Sequence, residues 1–339
     1  MAGRPPAGRA PRYAVVGPVN MDLFIRGMAP LDRAALSQWV GPSQVDLVVG
    51  GSVGYTAGVM ARLGAHVSLA TTLGDDAFGA HIRRELEEAG IDTSCVATAA
   101  GETAIAIYVL LFGDPKRPMT YRLPGFEPWP DPPLAILEVD GARPDLLHAG
   151  GLLHFPAMYR RGLAGTFAEA RRLGIRTSID PQFPLVDTPA PWLPFLADVL
   201  SEADVVLADE GEARRTYALE DLVEAIDAAH AAGPSIVAIK RGPAGSLVSD
   251  GARIVAQPAI PVAPDRVRES VGAGDAFDAG FLDALVRGAD VVDATRFATA
   301  AAALSLRGRG GAESISGRPA VEAILPEVPL ATVTPRRRS

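Results

Sequence analysis

Short strand-like runs alternate with helix-length segments along most of the chain, and this alternation constrains the fold more than any other feature. Runs of apolar and β-branched residues begin at Tyr13–Val16 and His66–Thr71. Phe78–Ala89 has the pattern of a helix, and it is followed by Gly90, a residue type that commonly ends helices. Further strands are predicted at Leu146–His148, Arg176–Asp180, Val205–Ala208 and Ile236–Lys240. Strands separated by helices predict an α/β fold, with a doubly wound, mainly parallel sheet and helices on both faces.

Two segments interrupt this alternation. Ala104–Phe112 and Met119–Leu123 are apolar runs on either side of Gly113–Pro118, a pattern that predicts a β-hairpin. Asp22–Val49 also lacks a clear helical period, apart from Asp32–Trp39. Together the two segments predict a small β-sheet lid that projects from the edge of the main sheet.

The length of 339 residues suits one large α/β domain with an addition. We expect the main domain to cover residues 12–328, with the lid formed by about residues 22–49 and 98–126. The flanking residues 1–11 and 329–339 are predicted to be flexible tails.

Composition argues against several other classes of protein. A net charge of −8 argues against a nucleic-acid partner, because nucleic-acid-binding proteins carry basic surfaces. The single cysteine, Cys95, excludes an intrachain disulfide framework and a cysteine-rich zinc site. Apolar runs such as Ala104–Phe112 are much shorter than the ~20 residues of a membrane-spanning helix. Met1–Arg12 contains no apolar segment, so we expect no secretory signal, no membrane association and a cytoplasmic protein.

The segment Ser270–Phe281 carries the strongest chemical signal. Gly272 and Gly274 flank an alanine, and a helical run, Ala276–Val286, follows at once. Such a turn leaves backbone N–H groups free at a helix N-terminus, where the helix dipole favours an anion such as phosphate. Asp275 at the helix start has two interpretations. It is either a carboxylate that caps the helix or a base that accepts a proton from an attacking hydroxyl group.

Two other phosphate-binding motifs do not fit the sequence. The P-loop motif G-x-x-x-x-G-K-[ST] is absent, because neither Lys116 nor Lys240 follows a glycine. Gly272–Gly280 does not read G-x-G-x-x-G, and Asp265–Ser270 before it is too polar for the buried strand of a dinucleotide-binding fold.

Two segments resemble the signatures of one family. Val271–Phe281 resembles the C-terminal signature of the PfkB/ribokinase family of carbohydrate kinases, which usually reads D-T-x-G-A-G-D-x-F. Gly50–Ala57, continued by Ala61–Gly64, resembles the N-terminal signature, G-G-x-x-x-N-x-A followed by A-R-L-G. Shorter matches occur in order at Val16-Gly17, Gly74–Gly79, Gly90–Asp92 and Gly242–Gly245. The resemblance covers about residues 13–325, and it implies a ribokinase-like fold with the lid over the carboxyl ends of the strands.

The resemblance also implies roles for residues at the reaction centre and at the sugar. Asp275 matches the catalytic base of the family. The turn whose amides form an anion hole for the transferring phosphoryl group is matched by Gly272, Ala273 and Gly274. The positions that bind sugar hydroxyls are matched by Asn20, Asp22, Gly50 and Gly51. Carboxylate and amide groups suit a polyol, and glycines let a substrate approach the backbone.

ATP and Mg²⁺ are the cofactors that the resemblance implies. The loop under the nucleotide is matched by Lys240, Gly242 and Gly245. Asp209 and Glu212 match an N-x-x-E element that organises Mg²⁺, often through water, and carboxylate oxygens suit that cation. Gly310 and Ser314 fall in the region where many members bind a monovalent cation such as K⁺.

The chain departs from the family pattern at three places. Tyr55 stands at the usual asparagine of the N-terminal signature, which removes an amide from the sugar pocket and adds a phenol. Glu269-Ser270 replaces the usual Asp-Thr and affects the monovalent-cation site, and Asp209 replaces an asparagine in the magnesium element. We therefore expect Tyr55 to line the substrate pocket and the substrate to differ from ribose. The alternative is that the ring packs into its helix below Gly54.

The combined prediction is an enzyme that uses ATP and Mg²⁺ to phosphorylate a hydroxyl of a sugar or sugar-like molecule. A nucleoside kinase is an alternative, because the same pocket chemistry accepts a ribose that carries a base. A non-catalytic sugar- or nucleotide-binding protein is a second alternative. We also expect a homodimer through the lid, since the apolar hairpin residues Ile105, Tyr108 and Leu110 need a covering surface.

Some conspicuous residues are expected to have only structural roles. Asp75-Asp76 precedes a helical run and is predicted to cap it. His148 and His154 have no metal-ligand spacing and are expected to be packing or loop residues. Arg122 in the hairpin is expected to be solvated rather than bound to an anion.

Overall fold

The computed structural model describes residues 9–41, 43–111, 119–123, 134–154, 162–185, 187–309 and 311–336. The strands of the described residues are β1 (Arg12–Val16), β2 (Asn20–Gly27), β3 (Ser43–Gly50), β4 (His66–Gly74), β5 (Val96–Ala99), β6 (Ile105–Leu110), β7 (Met119–Leu123), β8 (Leu146–Gly150), β9 (Arg176–Asp180), β10 (Val205–Asp209), β11 (Ile236–Lys240), β12 (Ser246–Ser249), β13 (Arg253–Gln257) and β14 (Thr332–Pro335). The helices are α1 (Arg33–Ser37), α2 (Ser52–Arg62), α3 (Ala77–Glu88), α4 (Leu163–Arg172), α5 (Leu193–Leu200), α6 (Glu210–Tyr217), α7 (Leu222–Ala232), α8 (Ala273–Val286), α9 (Val291–Ser305) and α10 (Arg318–Ala323).

Most strands join one large sheet, in the order β14-β13-β12-β11-β10-β9-β8-β1-β4-β5. The pairs from β11 through β10, β9, β8, β1 and β4 to β5 are parallel, whereas β12, β13 and β14 add antiparallel strands at one edge. The prediction of a mainly parallel, doubly wound sheet is therefore confirmed. Because ligands bind beyond the carboxyl ends of parallel strands in such sheets, this topology already indicates which edge carries the site.

Both faces of the sheet are covered, as the alternation of side chains along β1 makes clear. Tyr13 and Val15 belong to a core that also contains residues of α2, α8 and α9. Ala14 and Val16 belong to a second core, with residues of α4, α5 and α7. In the described part of the chain, every helix is too short or too polar to cross a membrane.

A second, four-stranded sheet has the order β3-β2-β6-β7. β2 pairs antiparallel with β3 and parallel with β6, and β6 pairs antiparallel with β7. The two predicted segments, residues 22–49 and the hairpin, thus meet in one small sheet, which we call the lid. Gly113–Pro118, the predicted hairpin connection, lies outside the described residues, as do residues 124–126.

The predicted tails are shorter than expected. Within residues 329–339, Thr332–Pro335 forms β14 and pairs with β13, so this part of the chain completes the edge of the large sheet. Within residues 1–11, an Nη atom of Arg9 lies 2.5 Å from a carboxylate oxygen of Asp145. The main domain therefore extends beyond the predicted bounds of 12–328 at both ends.

Two of the residues expected to be structural are confirmed in that role. Asp76 caps α3, because its carboxylate accepts from the Gly79 N–H at 2.8 Å and from the Thr103 hydroxyl at 2.6 Å. His148 is fully buried in β8, with Nδ1 3.0 Å from the Ser178 hydroxyl, and burial lowers its pKa to about 4. It is therefore a neutral packing residue at physiological pH.

The contact between α8 and α9 is close at Gly280. A Cβ atom added to Gly280 would lie 3.0 Å from the Cβ of Ala301 and 3.2 Å from the Cα of Ala298. Since α8 carries the Gly272–Asp275 region at its N-terminal end, this contact fixes the helix that presents the predicted reaction centre.

We expect Gly280→Val to lower the free energy of unfolding by about 1–3 kcal/mol, because the added isopropyl group overpacks the helix contact. The matched control is Gly165→Val, at a helical glycine of α4 whose added Cβ meets nothing within 4 Å. That change should stay within about 0.5 kcal/mol. Equal losses for the two variants in urea unfolding would contradict the packing argument.

Candidate active site

A cavity of about 500 Å³ lies where the start of α8 meets the lid. Its lining residues include Gly272 and Asp275 at the start of α8, Ala104–Ala106 and Tyr108 around β6 of the lid, and Gln182–Leu185 after β9. The structure thus brings a lid strand and the predicted reaction centre to one cavity at the carboxyl end of β9.

Asp275 does not cap α8. The N-cap position is held by Gly272, whose φ of 82° is left-handed, and no side chain of the described residues caps the helix. Asp275 lies within the first turn of the helix and is buried, and its Oδ1 accepts from the Ser52 hydroxyl at 3.3 Å and from the Gln182 amide at 3.2 Å. The interpretation as a cap is therefore wrong, and the carboxylate faces the cavity instead.

The acidity of Asp275 suits proton transfer near neutral pH. Burial, followed by the negative charge of Asp180, raises its pKa to about 7, although the positive charge of Lys240 acts in the opposite direction. A carboxyl group with this pKa exists in both protonation states at neutral pH, which is the condition that favours a general base.

The turn before Asp275 requires glycine at its first position. Gly272 has a left-handed backbone, and an added Cβ would lie 3.2 Å from the Tyr55 ring and 3.2 Å from the Cα of Gly311. Gly272, Ala273 and Gly274 then begin a 14-residue helix without a capping side chain. A helix start of this kind offers backbone N–H donors and a partial positive charge to an anion.

Lys240, whose predicted place in the nucleotide loop stays a prediction, is part of a buried ion-pair cluster. Its ammonium group lies 2.8 Å from a carboxylate oxygen of Asp180 and 2.7 Å from one of Asp278, and its side chain is 12% exposed. The cluster is next to the Gly272–Gly274 turn, because a Cβ on Gly274 would lie 3.7 Å from the ammonium nitrogen. The positive charge of Lys240 and the two carboxylates paired with it therefore lie close to the turn.

Gly242 and Gly245 form the tight turn that connects β11 to β12. Both have a left-handed φ, of 52° and 87°, and the Arg241 N–H donates to the Gly245 carbonyl at 2.8 Å. A Cβ on Gly245 would lie 1.9 Å from the carbonyl oxygen of Gln257, so only glycine fits there. Neither glycine lines the cavity, and their predicted contact with a nucleotide stays a prediction.

Asp209 and Glu212, the predicted magnesium residues, form a capping box at the start of α6. The Glu212 N–H donates to Asp209 at 2.7 Å, and the Asp209 N–H donates to Glu212 at 2.6 Å. Glu212 is buried and also lines the cavity, and burial together with the charges of Asp180 and Asp209 raises its pKa. Among the described residues, no three His, Cys, Asp or Glu side chains form a ready-made metal site.

The predicted substrate residues divide into two groups. Asn20, Gly51 and Tyr55 line the cavity. Asp22 and Gly50 do not. Asp22 is 1% exposed, and its carboxylate accepts hydrogen bonds from the Tyr55 hydroxyl and the Asn20 amide. Gly50 is adjacent to it, since a Cβ there would lie 2.3 Å from the Asp22 carboxyl carbon.

Tyr55 thus lines the cavity, which is the first of the two interpretations that the sequence left open. Its hydroxyl group turns inward and donates to the Asp22 carboxylate. The ring is 4% exposed, and burial together with the charge of Asp22 raises the pKa of its hydroxyl. Tyr55 therefore separates the Asp22 carboxylate from the cavity, which the sequence pattern did not reveal.

Several cavity residues were not predicted. They are Ser52 and Gln182, which contact Asp275, and Tyr108, Phe183 and His154, which line the wall. His154 was expected to be a packing or loop residue, and it lies in the short turn Leu152–His154 after β8, where it also lines the cavity. One signal was present: Asp180 is the last residue of a predicted strand and Gln182 lies two residues beyond it, at the sheet edge where ligands bind.

Comparison with known proteins identifies a family. A model of the pfkB family of carbohydrate kinases matches residues 14–317. Ribokinase of Bacillus subtilis is 27% identical over 316 residues, which cover 92% of this chain and 98% of the relative. ATP-dependent ribose-1-phosphate kinase of Halopiger xanaduensis is 31% identical over 279 residues, which cover 82% of this chain and 86% of the relative.

Solved structures share the fold. The ribokinase of Arabidopsis thaliana complexed with ribose and ATP matches with a TM-score of 0.74 and 24% identity, over 94% of this chain and 99% of that chain. A putative ribokinase II from E. coli in complex with ATP and Mg²⁺ also matches with a TM-score of 0.74, at 19% identity, over 94% of this chain and 99% of that chain. These likenesses confirm the expected ribokinase-like fold.

Proposed function

The chain belongs to the pfkB family of carbohydrate kinases, and from this premise we propose which residues perform the transfer and what kind of acceptor they serve. The enzyme is an ATP-dependent kinase of the sugar and nucleoside kinase group. In our proposal Asp275 is the general base, and the amides of Gly272, Ala273 and Gly274 form the anion hole for the phosphoryl group in transfer. The acceptor is a hydroxyl group of a sugar or sugar-like molecule.

The single observation that supports this assignment best is the arrangement around Asp275. A buried carboxylate with a pKa of about 7 faces the cavity and follows directly on a helix start that no described side chain caps. An acceptor hydroxyl in the cavity gives its proton to Asp275 as its oxygen attacks the γ-phosphorus atom. The amides stabilise the charge on the phosphoryl oxygens while the bond to ADP breaks.

Mg²⁺ fits the charge of the site. Five buried or half-buried carboxyl groups interact around one ammonium group, that of Lys240: Asp180, Asp209, Glu212, Asp275 and Asp278. A cation held by Glu212 and Asp209, with water between, would offset this excess of negative charge. When bound with ATP, Mg²⁺ would neutralise part of the negative charge of the phosphates. We place the nucleotide near the Gly242–Gly245 turn on the family resemblance alone.

The acceptor pocket indicates a substrate other than ribose. The Asp22 carboxylate, which the resemblance assigns to sugar hydroxyls, is engaged by Tyr55 and Asn20. The cavity wall is rich in aromatic rings, from Tyr55, Tyr108 and Phe183. A flat, apolar part of an acceptor can pack against such rings, which favours a nucleoside or an aryl-substituted sugar as the second candidate. One relative, from Methanothermobacter thermautotrophicus, is named a nucleoside kinase.

The remaining alternative is a non-catalytic protein that binds the same ligands. The complete Asp275 environment favours catalysis over binding alone. Measuring ADP production with a panel of sugars and nucleosides separates the candidates. Turnover with sugars supports the first proposal, turnover with nucleosides alone supports the second, and binding without turnover supports the third.

The homodimer through the lid stays a proposal. Val45 and Leu47 on β3 are 56% and 49% exposed, and both are apolar residues on the outer strand of the lid. A second copy that covered this strand would bury them. Analytical ultracentrifugation of the whole chain measures the oligomeric state directly.

Asp275→Asn should fold and bind ligands but lose turnover by about 10²–10⁴-fold, because an amide cannot accept the proton. The control is Asp293→Asn, which also removes an acidic residue from the first turn of a helix, α9, but at an exposed position. For the wild type, kcat/KM should rise with pH through about 7 and then level off, since the base works only when ionised. Near wild-type turnover of Asp275→Asn would refute the assignment.

Glu212→Gln should raise the Mg²⁺ concentration needed for half-maximal activity more than it raises the KM for the acceptor. The reason is that a carboxylate that holds the water shell of the ion acts on the nucleotide phosphates. The control is Glu224→Gln, which occupies the same position behind the N-cap Asp221 of α7 but is exposed. A Mg²⁺ titration of Glu212→Gln that overlays the wild type would exclude this role.

Tyr55→Asn should shift the preference toward compact pentoses by ~1–3 kcal/mol, because it opens the cavity to the Asp22 carboxylate. Tyr55→Phe keeps the ring in place and serves as the control, so its ranking of acceptors should stay close to that of the wild type. Identical acceptor profiles for all three proteins would show that Tyr55 does not set the specificity.

A further inference from the structure

A buried ion-pair network connects the lid to the segment that leads into the anion-binding turn. Arg26 lies near the end of β2 in the lid, and its guanidinium group pairs with the Glu269 carboxylate. The same group donates to the backbone carbonyl of Arg268 at 3.2 Å. Glu269 is 2% exposed and immediately precedes Ser270 and the turn at Gly272.

Asp46 extends this network within the lid and beyond it. It lies on β3, is 4% exposed, and accepts from Arg26 and from Arg309, each at 3.0 Å. Arg309, which follows α9, also pairs with Glu313 at 2.6 Å. Guanidinium groups therefore join three parts of the chain: the lid, the segment before the anion-binding turn, and the segment after α9.

A monovalent cation does not fit the residues that the resemblance assigned to it. Glu269, which stands where the family usually has an aspartate, is buried and paired with a guanidinium group. The Ser314 hydroxyl donates to the Leu304 carbonyl at 2.6 Å. Gly310 lies outside the described residues. The positive charge that a cation would bring next to Glu269 is already supplied by Arg26.

We propose that Arg26 is a positioning residue that holds the Gly272–Gly274 turn from the lid, and that its guanidinium group makes phosphoryl transfer independent of added K⁺. This inference rests on the proposed function of the turn. A guanidinium group is planar and always charged, and it can bind a carboxylate and a carbonyl group at the same time. The contact to Arg268 fixes the backbone, and the contact to Glu269 fixes its side chain.

We expect the loss of Arg26 to lower turnover rather than ligand affinity. Arg26 is not a lining residue of the cavity, so its loss removes no contact to the acceptor. A small displacement of the turn, however, moves the amides away from the oxygens whose charge grows in the transition state, and such displacements can cost about 10²-fold in rate.

The first experiment uses the wild-type chain. Activity and the thermal unfolding midpoint are measured in KCl, NaCl and tetramethylammonium chloride at constant ionic strength. We expect the three salts to give the same kcat and the same midpoint. A kcat or a midpoint that rises specifically with K⁺ would overturn the proposal, because it would reveal a cation site that Arg26 does not replace.

The second experiment uses Arg26→Ala and Arg26→Lys, with Arg33→Ala as the control for an exposed arginine of the lid. Arg26→Ala should lower kcat by about 10²-fold with little change in either KM, and added guanidinium ion should restore part of the loss. Arg26→Lys keeps the charge and should lose less. It also provides the test if Arg26→Ala does not fold.

Wild-type kcat in both Arg26 variants would overturn the positioning role, as would a loss confined to KM or one that guanidinium does not restore. These outcomes differ from a failure of the proposed function. If the wild type phosphorylates no acceptor, the kinase assignment fails, and the unfolding midpoints in the three salts still decide whether a K⁺ site exists.

Discussion

The Lys240 ammonium group holds together the buried carboxylates on which the site depends. It reaches from β11 to Asp180 at the end of β9 and to Asp278 in α8, and so it connects the sheet to the helix that carries the reaction centre. Only two of the 32 basic residues are lysines. A compact ammonium with three donors suits a position between two carboxylates better than the wide, planar fork of an arginine.

The acidity of Asp275 depends on burial and on this cluster. Burial raises its pKa most, the charge of Asp180 raises it further and that of Lys240 lowers it, and together they give about 7. Without Lys240, several buried carboxyl groups would face each other with no cation among them, and such an arrangement drives carboxyl groups to stay protonated. The ion-pair cluster therefore adjusts the pKa that burial gives to the proposed base, and it connects the sheet to α8 beside that base.

The parts of this site that sequence could predict are local. The Ser270–Phe281 turn and helix, the hairpin and most strands of the large sheet follow from residues that are neighbours in the chain. Pairings between distant segments leave no such pattern, so β14, the partners of Lys240 and the contact of Gln182 with Asp275 became visible only in three dimensions. The cap interpretation of Asp275 was wrong because Gly272, with its left-handed backbone, takes the N-cap position of α8 three residues earlier.

Two departures from the family pattern have the same physical character. At Tyr55 the chain supplies its own hydroxyl group to the Asp22 carboxylate, and at Arg26 it supplies its own guanidinium group to Glu269. In each case a buried carboxylate is paired with a group of the protein itself, which offsets the cost of burying its charge. In the proposed function the acceptor therefore meets the residues that line the cavity, among them Asn20, His154 and the aromatic rings, rather than the Asp22 carboxylate.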